Sequence, residues 1–245
     1  MKYLKRILAL LAIVLFLAIS GFLFWAETPL GPAPEALLAL QTDAQVKVTN
    51  GDWISFEPTA STPTTGFIFY PGGHVEYRAY APVLKKIAAQ GYFVALLKVP
   101  LNLAFFSTNA ASPVFDAHPE ITHWAIGGHS LGGVAAAIFV ADHPNKISGI
   151  AFWASYPAND KLLHTDIKIT SIYGTNDGLG TIENIKKAAA LLPANVVYVP
   201  IEGGNHGQFG AYGPQPGDNP ATISAEEQWN QTAAATVQML KSITP

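Results

Sequence analysis

Residues 127–133 read Gly-Gly-His-Ser-Leu-Gly-Gly, after an apolar run Trp124-Ala125-Ile126 and before an alanine-rich helical run, 134–141. In such a setting a strand turns sharply into a helix, and the serine takes a strained backbone that lifts its hydroxyl above the sheet edge. Gly128 and Gly132, two residues to either side of Ser130, leave room for neighbouring backbone to pass. The chemistry this pattern permits is nucleophilic attack by Ser130.

A neutral serine hydroxyl is a poor nucleophile, so it needs a histidine base, and that histidine needs an acid to hold its tautomer and stabilise its charged form. Ser171-Ile172-Tyr173-Gly174-Thr175-Asn176-Asp177-Gly178 supplies the acid: Asp177 lies in a Gly-flanked turn just beyond an apolar strand, at the edge where open α/β sheets gather ligands. Asp-Gly also favours tight turns for purely structural reasons. Further along, the run Glu202-Gly203-Gly204-Asn205-His206-Gly207 contains the base, His206, the last of seven histidines. Of the others, His74 and His129 flank the expected site, while His118, His123, His143 and His164 fall in helices or connections without metal-ligand spacing. The pattern calls for no cofactor and no metal.

Attack on a carbonyl also needs two backbone N–H groups aimed at the oxyanion, each worth on the order of 10²–10³ in rate. Leu131, directly after the serine, is the first expected donor. The second comes from the Gly-rich loop Tyr70-Pro71-Gly72-Gly73-His74, with Gly73 the choice and His74 next to it.

The elements that must position these residues follow from periodicity. Residues 46–48 and 53–56 read as a hairpin about an Asn50-Gly51 turn. Strand-like runs at 66–70, 93–98, 124–127, 150–154, 169–173 and 196–201 then alternate with helical stretches that include 80–90, 131–142 and 181–192. Such alternation predicts an α/β fold: a mostly parallel sheet with helices on both faces. A last helix over about 225–241 starts from a capping box, Ser224 with Glu227.

The N-terminus is built differently. Residues 1–6 form a basic stub with Lys2, Lys5 and Arg6, and residues 7–25 carry no charge over nineteen positions, close to the roughly 20 that cross a bilayer as a helix. The stub predicts a cytoplasmic N-terminus and an extracytoplasmic remainder. Ala18-Ile19-Ser20 offers a cleavage signal, which would give a secreted protein, but the apolar run continues through Phe22 to Trp25 and favours an uncleaved signal-anchor. Residues 26–34 (AETPLGPAP) read as a proline-rich tether that stands the domain off the membrane, and 35–245 as the catalytic domain.

With no cysteine, the chain has no disulfide, thiolate metal site or cysteine nucleophile, and export without disulfides fits a bacterial envelope. Beyond the stub, eleven Lys and Arg face seventeen Asp and Glu, so nothing attracts nucleic acid.

These motifs together resemble the α/β-hydrolase fold family, and within it a bacterial branch of membrane-anchored or exported hydrolases. The resemblance runs from about residue 35 to 244, on Tyr-Pro-Gly-Gly near 70, GGHSLGG at 127–133, Tyr-Gly-Thr-Asn-Asp-Gly at 173–178 and Gly-Gly-Asn-His-Gly-Gln-Phe-Gly at 203–210. It implies Ser130 as nucleophile, Asp177 as acid, His206 as base, and Gly73 and Leu131 as oxyanion donors. Many relatives carry His-Gly where this chain has Pro71-Gly72.

Only about fourteen residues separate the sixth strand from the seventh, too few for the helical cap that larger family members insert there. The site is therefore expected to be open, covered by residues 101–113 with Leu103, Phe105 and Phe106, and by the Gly/Pro-rich loop 208–220. Phe105 and Phe106 suit either an acyl-binding surface or the core. The expected activity is hydrolysis of an ester or thioester, on a small-molecule acyl substrate that could be lipid-like. An acyltransferase or amidase could use the same triad, and a catalytically silent surface-binding module could keep the same fold.

Overall fold

The computed structural model of the chain describes residues 2–244. Eight strands, β1 (Val46–Asn50), β2 (Ile54–Pro58), β3 (Thr65–Tyr70), β4 (Phe93–Leu96), β5 (His123–His129), β6 (Gly149–Trp153), β7 (Lys168–Gly174) and β8 (Val197–Ile201), form one sheet. Their order is β1-β2-β4-β3-β5-β6-β7-β8, with β1, β2 and β4 paired antiparallel and every other pairing parallel. The hairpin is shifted slightly from expectation: Thr49 and Asn50 belong to β1, and Trp53 falls in the turn.

Successive side chains of a strand point to opposite faces, and two cores follow from that alternation. Phe67 and Phe69 of β3 face one core with Trp153, while Ile68 and Tyr70 face the other with Phe152. The first core is covered by α2 (Pro34–Ala39), α3 (Ala81–Ala88) and α7 (Ala225–Ile243); the second by α4 (Ser112–Ala117) and α5 (Leu131–Asp142). All six residues of β3 are buried, as a parallel strand covered on both faces requires. Pro200, which has no N–H to donate, sits in the edge strand β8.

Helix α6 (Ile182–Ala188) precedes β8, and α7 begins where the capping box placed it, with Ser224 Oγ accepting the Glu227 N–H at 3.2 Å. The sequence pattern did not reveal α2 or α4, each six residues long and opened by a proline in the first turn. Residues 154–167, between β6 and β7, hold no helix, so no cap covers the carboxyl ends of the strands there.

Helix α1 (Lys2–Ala26) is the apolar N-terminal segment, long and apolar enough to cross a membrane. The segment after it is not a tether. Leu30 forms a parallel bridge with Val75, donating to the His74 carbonyl and accepting from the Glu76 N–H, both at 2.9 Å. Ala33 donates to the Ala211 carbonyl at 2.7 Å. Pro29, Pro32 and Pro34 hold the backbone extended without donors, so Leu30 and Ala33 carry N–H groups between them, and both find acceptors on the domain.

Candidate active site

Ser130 stands between β5 and α5 at φ 51 and ψ −123, a backbone state unusual for a residue with a side chain. Both of its backbone groups are tied down. Its N–H donates to the Trp153 carbonyl at 3.0 Å, and its carbonyl accepts the Ser155 hydroxyl at 2.6 Å and the Gly133 N–H at 3.0 Å. The flanking glycines explain how the turn closes. A Cβ on Gly132 would strike the carbonyls of Tyr70 and Pro71, and one on Gly128 would strike the backbone of Gly132. The spacing read from sequence is thus a steric requirement of elbow against loop.

Asp177 and His206 meet at the carboxyl ends of β7 and β8. His206 Nδ1 lies 2.8 Å from Asp177 Oδ2, with both side chains almost entirely buried. Asp177 Oδ1 accepts the N–H groups of Leu179 (2.8 Å) and Gly180 (2.6 Å), which aims Oδ2 at the imidazole. With Nδ1–H donated to the carboxylate, the lone pair of His206 is on Nε2. The His129 ring, next to the serine, packs 4.4 Å from the His206 ring, which brings the elbow and the histidine loop together.

In the Gly-rich loop the Gly72 N–H donates to the Tyr80 hydroxyl at 3.0 Å and the His74 N–H to the Asn102 carbonyl at 2.9 Å. Between them, the Gly73 N–H has no protein acceptor among the described residues, and neither has the Leu131 N–H at the first turn of α5. A Cβ on Gly73 would come to 2.5 Å from Leu131 Cδ1, so the two loops touch. Of the two loop residues weighed from sequence, Gly73 therefore has the uncommitted donor and His74 does not.

Three supporting residues escaped sequence reading. The buried Tyr80 hydroxyl, besides accepting from Gly72, stands 2.8 Å from His129 Nδ1. Burial pushes the His129 imidazole well below its usual 6.5, and His206 beside it acts in the same direction, so His129 is neutral and accepts the phenol proton. Burial likewise raises the Tyr80 pKa. Asp218 joins the loops that carry Asp177 and His206, taking the Gly178 N–H on Oδ1 (3.0 Å) and the Gly207 N–H on Oδ2 (2.8 Å). Gln228, fully buried on α7, accepts the Asn205 N–H (3.0 Å) and donates to the Asn205 carbonyl (2.7 Å), fixing the residue before His206. One signal existed for this last group: Gln228, Thr232 and Thr236 recur every four residues as a polar stripe on an inward helix face.

Phe105 and Phe106, undecided between core and surface, are exposed at 49% and 57%. Their segment packs against α5.

A mostly parallel sheet flanked by helices, with a strained serine at the end of a central strand and a buried histidine–carboxylate pair on neighbouring loops, defines an α/β hydrolase. Residues 66–230 match the model of the Alpha/beta hydrolase family, and the chain belongs to that family. Among solved structures, the chain is similar to the esterase domain of a Rhodothermus marinus protein (TM-score 0.62, 13% identity, 80% of this chain and 98% of that one). It is also similar to dienelactone hydrolase from Anabaena variabilis (TM-score 0.62, 16% identity, 82% and 100%). No curated protein matches the chain in sequence.

Proposed function

We propose that the chain is a serine hydrolase of the bacterial envelope, anchored by α1 with its domain on the extracytoplasmic side, that cleaves an ester or thioester through an acyl-enzyme. The observation that carries this reading is the buried His206–Asp177 bond, which leaves the Nε2 lone pair free on a loop packed, through His129, against the elbow that holds Ser130 at positive φ. Fold likeness to an esterase domain and to a dienelactone hydrolase supports hydrolysis in general.

In this mechanism Nε2 of His206 takes the Ser130 proton as Oγ bonds to the carbonyl carbon. The tetrahedral oxyanion receives the N–H groups of Gly73 and Leu131. The C–O (or C–S) bond then breaks, and His206 returns the proton to the leaving alcohol or thiol. Water attacks the acyl-enzyme by the same steps in reverse, giving a carboxylic acid and restoring Ser130. Asp177 keeps the imidazole in its tautomer and stabilises its cationic form.

Turnover of p-nitrophenyl esters of graded chain length by the full chain, beside Ser130→Ala, tests the reading. Loss in the variant by about 10³-fold or more is expected, and equal turnover in both would remove the serine from the mechanism.

A further inference from the structure

The last four carbonyls of a helix have no partner within it, and near a membrane an unmet carbonyl is expensive. At the end of α1 two of them are met by side chains of the site's rim. His74 Nε2 donates at 2.7 Å to the Trp25 carbonyl, which also takes the Thr28 N–H and hydroxyl at 3.1 Å each, and Asn102 Nδ2 donates to the Ala26 carbonyl at 2.9 Å. The Trp25 ring stacks on the His74 ring with centroids 4.2 Å apart and planes within 8°. His74 and Asn102 are themselves joined through the His74 N–H, and Ala26 is completely buried.

His74, Leu101 and Asn102 all hold positive φ, at 56, 56 and 53. Such strain persists only where surrounding contacts over-determine it. Here the contacts include those of His74 and Asn102 with α1, the His74 N–H bond to Asn102 and the Leu30 N–H bond to the His74 carbonyl. His74 also follows Gly73, whose N–H is one of the two uncommitted donors.

The uncharged stretch ending at Trp25 spans about 28 Å as a helix, near the thickness of the bilayer hydrocarbon, which places Trp25 at the lipid–water boundary. His74 stacks on that Trp25, so the boundary runs beside the Gly-rich loop. Phe22 of α1 meets Phe106 edge-on at 6.3 Å, and the exposed pair Phe105–Phe106 extends the apolar surface of the helix along a segment that packs against α5. An exposed aromatic pair continuous with a membrane helix matches an interfacial contact.

We infer that the last turn of α1 is a fixed part of the active-site rim, and that the site opens onto the bilayer surface and takes from it an acyl ester whose chain is resident in the lipid. This rests on the acyl-transfer reading above. Phe105 and Phe106 are the surface that enters the lipid. The proline-rich segment after α1 cannot let the domain swing away, because Leu30 and Ala33 are hydrogen-bonded to the domain.

Since the chain lacks cysteine, one introduced thiol reports one place. The full chain, reconstituted in phosphatidylcholine vesicles, would carry an environment-sensitive fluorophore at Phe106→Cys or, at the opposite end of the parallel strands, at Asn195→Cys. Emission at 106 should shift to the blue and be quenched by shallow lipid-borne nitroxides, while 195 stays accessible to aqueous iodide. Water-like emission and iodide quenching at 106 would overturn the inference whatever the activity. In parallel, Phe105→Asp with Phe106→Asp should lower the ratio of turnover of a vesicle-embedded long-chain ester to that of p-nitrophenyl acetate by about tenfold or more. An unchanged ratio, with acetate turnover still dependent on Ser130, would overturn the substrate class and leave the serine hydrolase standing. Turnover of neither ester by the unaltered chain would overturn the hydrolase reading and the substrate class with it, and the label would still decide the docking.

Discussion

The Tyr80 hydroxyl stands 2.8 Å from Nδ1 of His129, and both side chains are buried. One phenol thus donates to the residue before the serine and accepts from Gly72 in the Gly-rich loop, holding the elbow and that loop at a fixed separation.

Tyr80→Phe removes both bonds and leaves the Gly72 N–H without its acceptor. A stability loss of about 1–3 kcal/mol is expected in chemical denaturation. If the loop supplies the proposed oxyanion donor, kcat should fall more than KM rises; a change in KM alone would confine Tyr80 to packing.

The neutral, buried His129 makes stability depend on pH. Its folded pKa lies below the unfolded value of 6.5, so the unfolded chain binds the proton first as pH falls. The contribution is complete above that value and is lost below it, at up to about 1.4 kcal/mol per pH unit. Denaturation midpoints taken from pH 8 to 5 should decline below 6.5, and His129→Gln should decline less steeply.

Gly132→Ala drives a methyl into the Tyr70 and Pro71 carbonyls, which are backbone and cannot rotate away. The loop must move from the elbow, at a cost of about 2–4 kcal/mol. Ester turnover should be lost even in the fraction that remains folded, as read by activity against circular dichroism.

Gln228→Met keeps the volume and removes both clamps on Asn205. The expected destabilisation is about 1–3 kcal/mol, since two part-buried backbone groups lose partners. Pre-steady-state acylation should slow, because His206 follows directly on the released residue.

Asp177→Asn presents an amide N–H₂ or a weaker acceptor to Nδ1, and the histidine is no longer held as the Nε2 base. A fall in kcat on the order of 10⁴ is expected, with the fold retained by far-ultraviolet circular dichroism.

What the sequence determined by itself was local. The elbow was legible because glycines at 128 and 132 answer steric contacts within one turn and its facing loop. The sheet was legible because strand and helix periods alternate, and the short connection between β6 and β7 left no length for a cap. Asp177 and His206 could be assigned to turns beyond apolar strands for the same reason. Six-residue helices such as α2 and α4 carried too few periods to register.

Only the tertiary structure decided which polar groups meet across the chain. Tyr80 and His129 are forty-nine positions apart, as are Trp25 and His74, and Gln228 is twenty-three from Asn205. No local propensity encodes such pairs. They form because the fold buries donors and acceptors that must then satisfy one another, and this also turned the proline-rich segment from a tether into a strap.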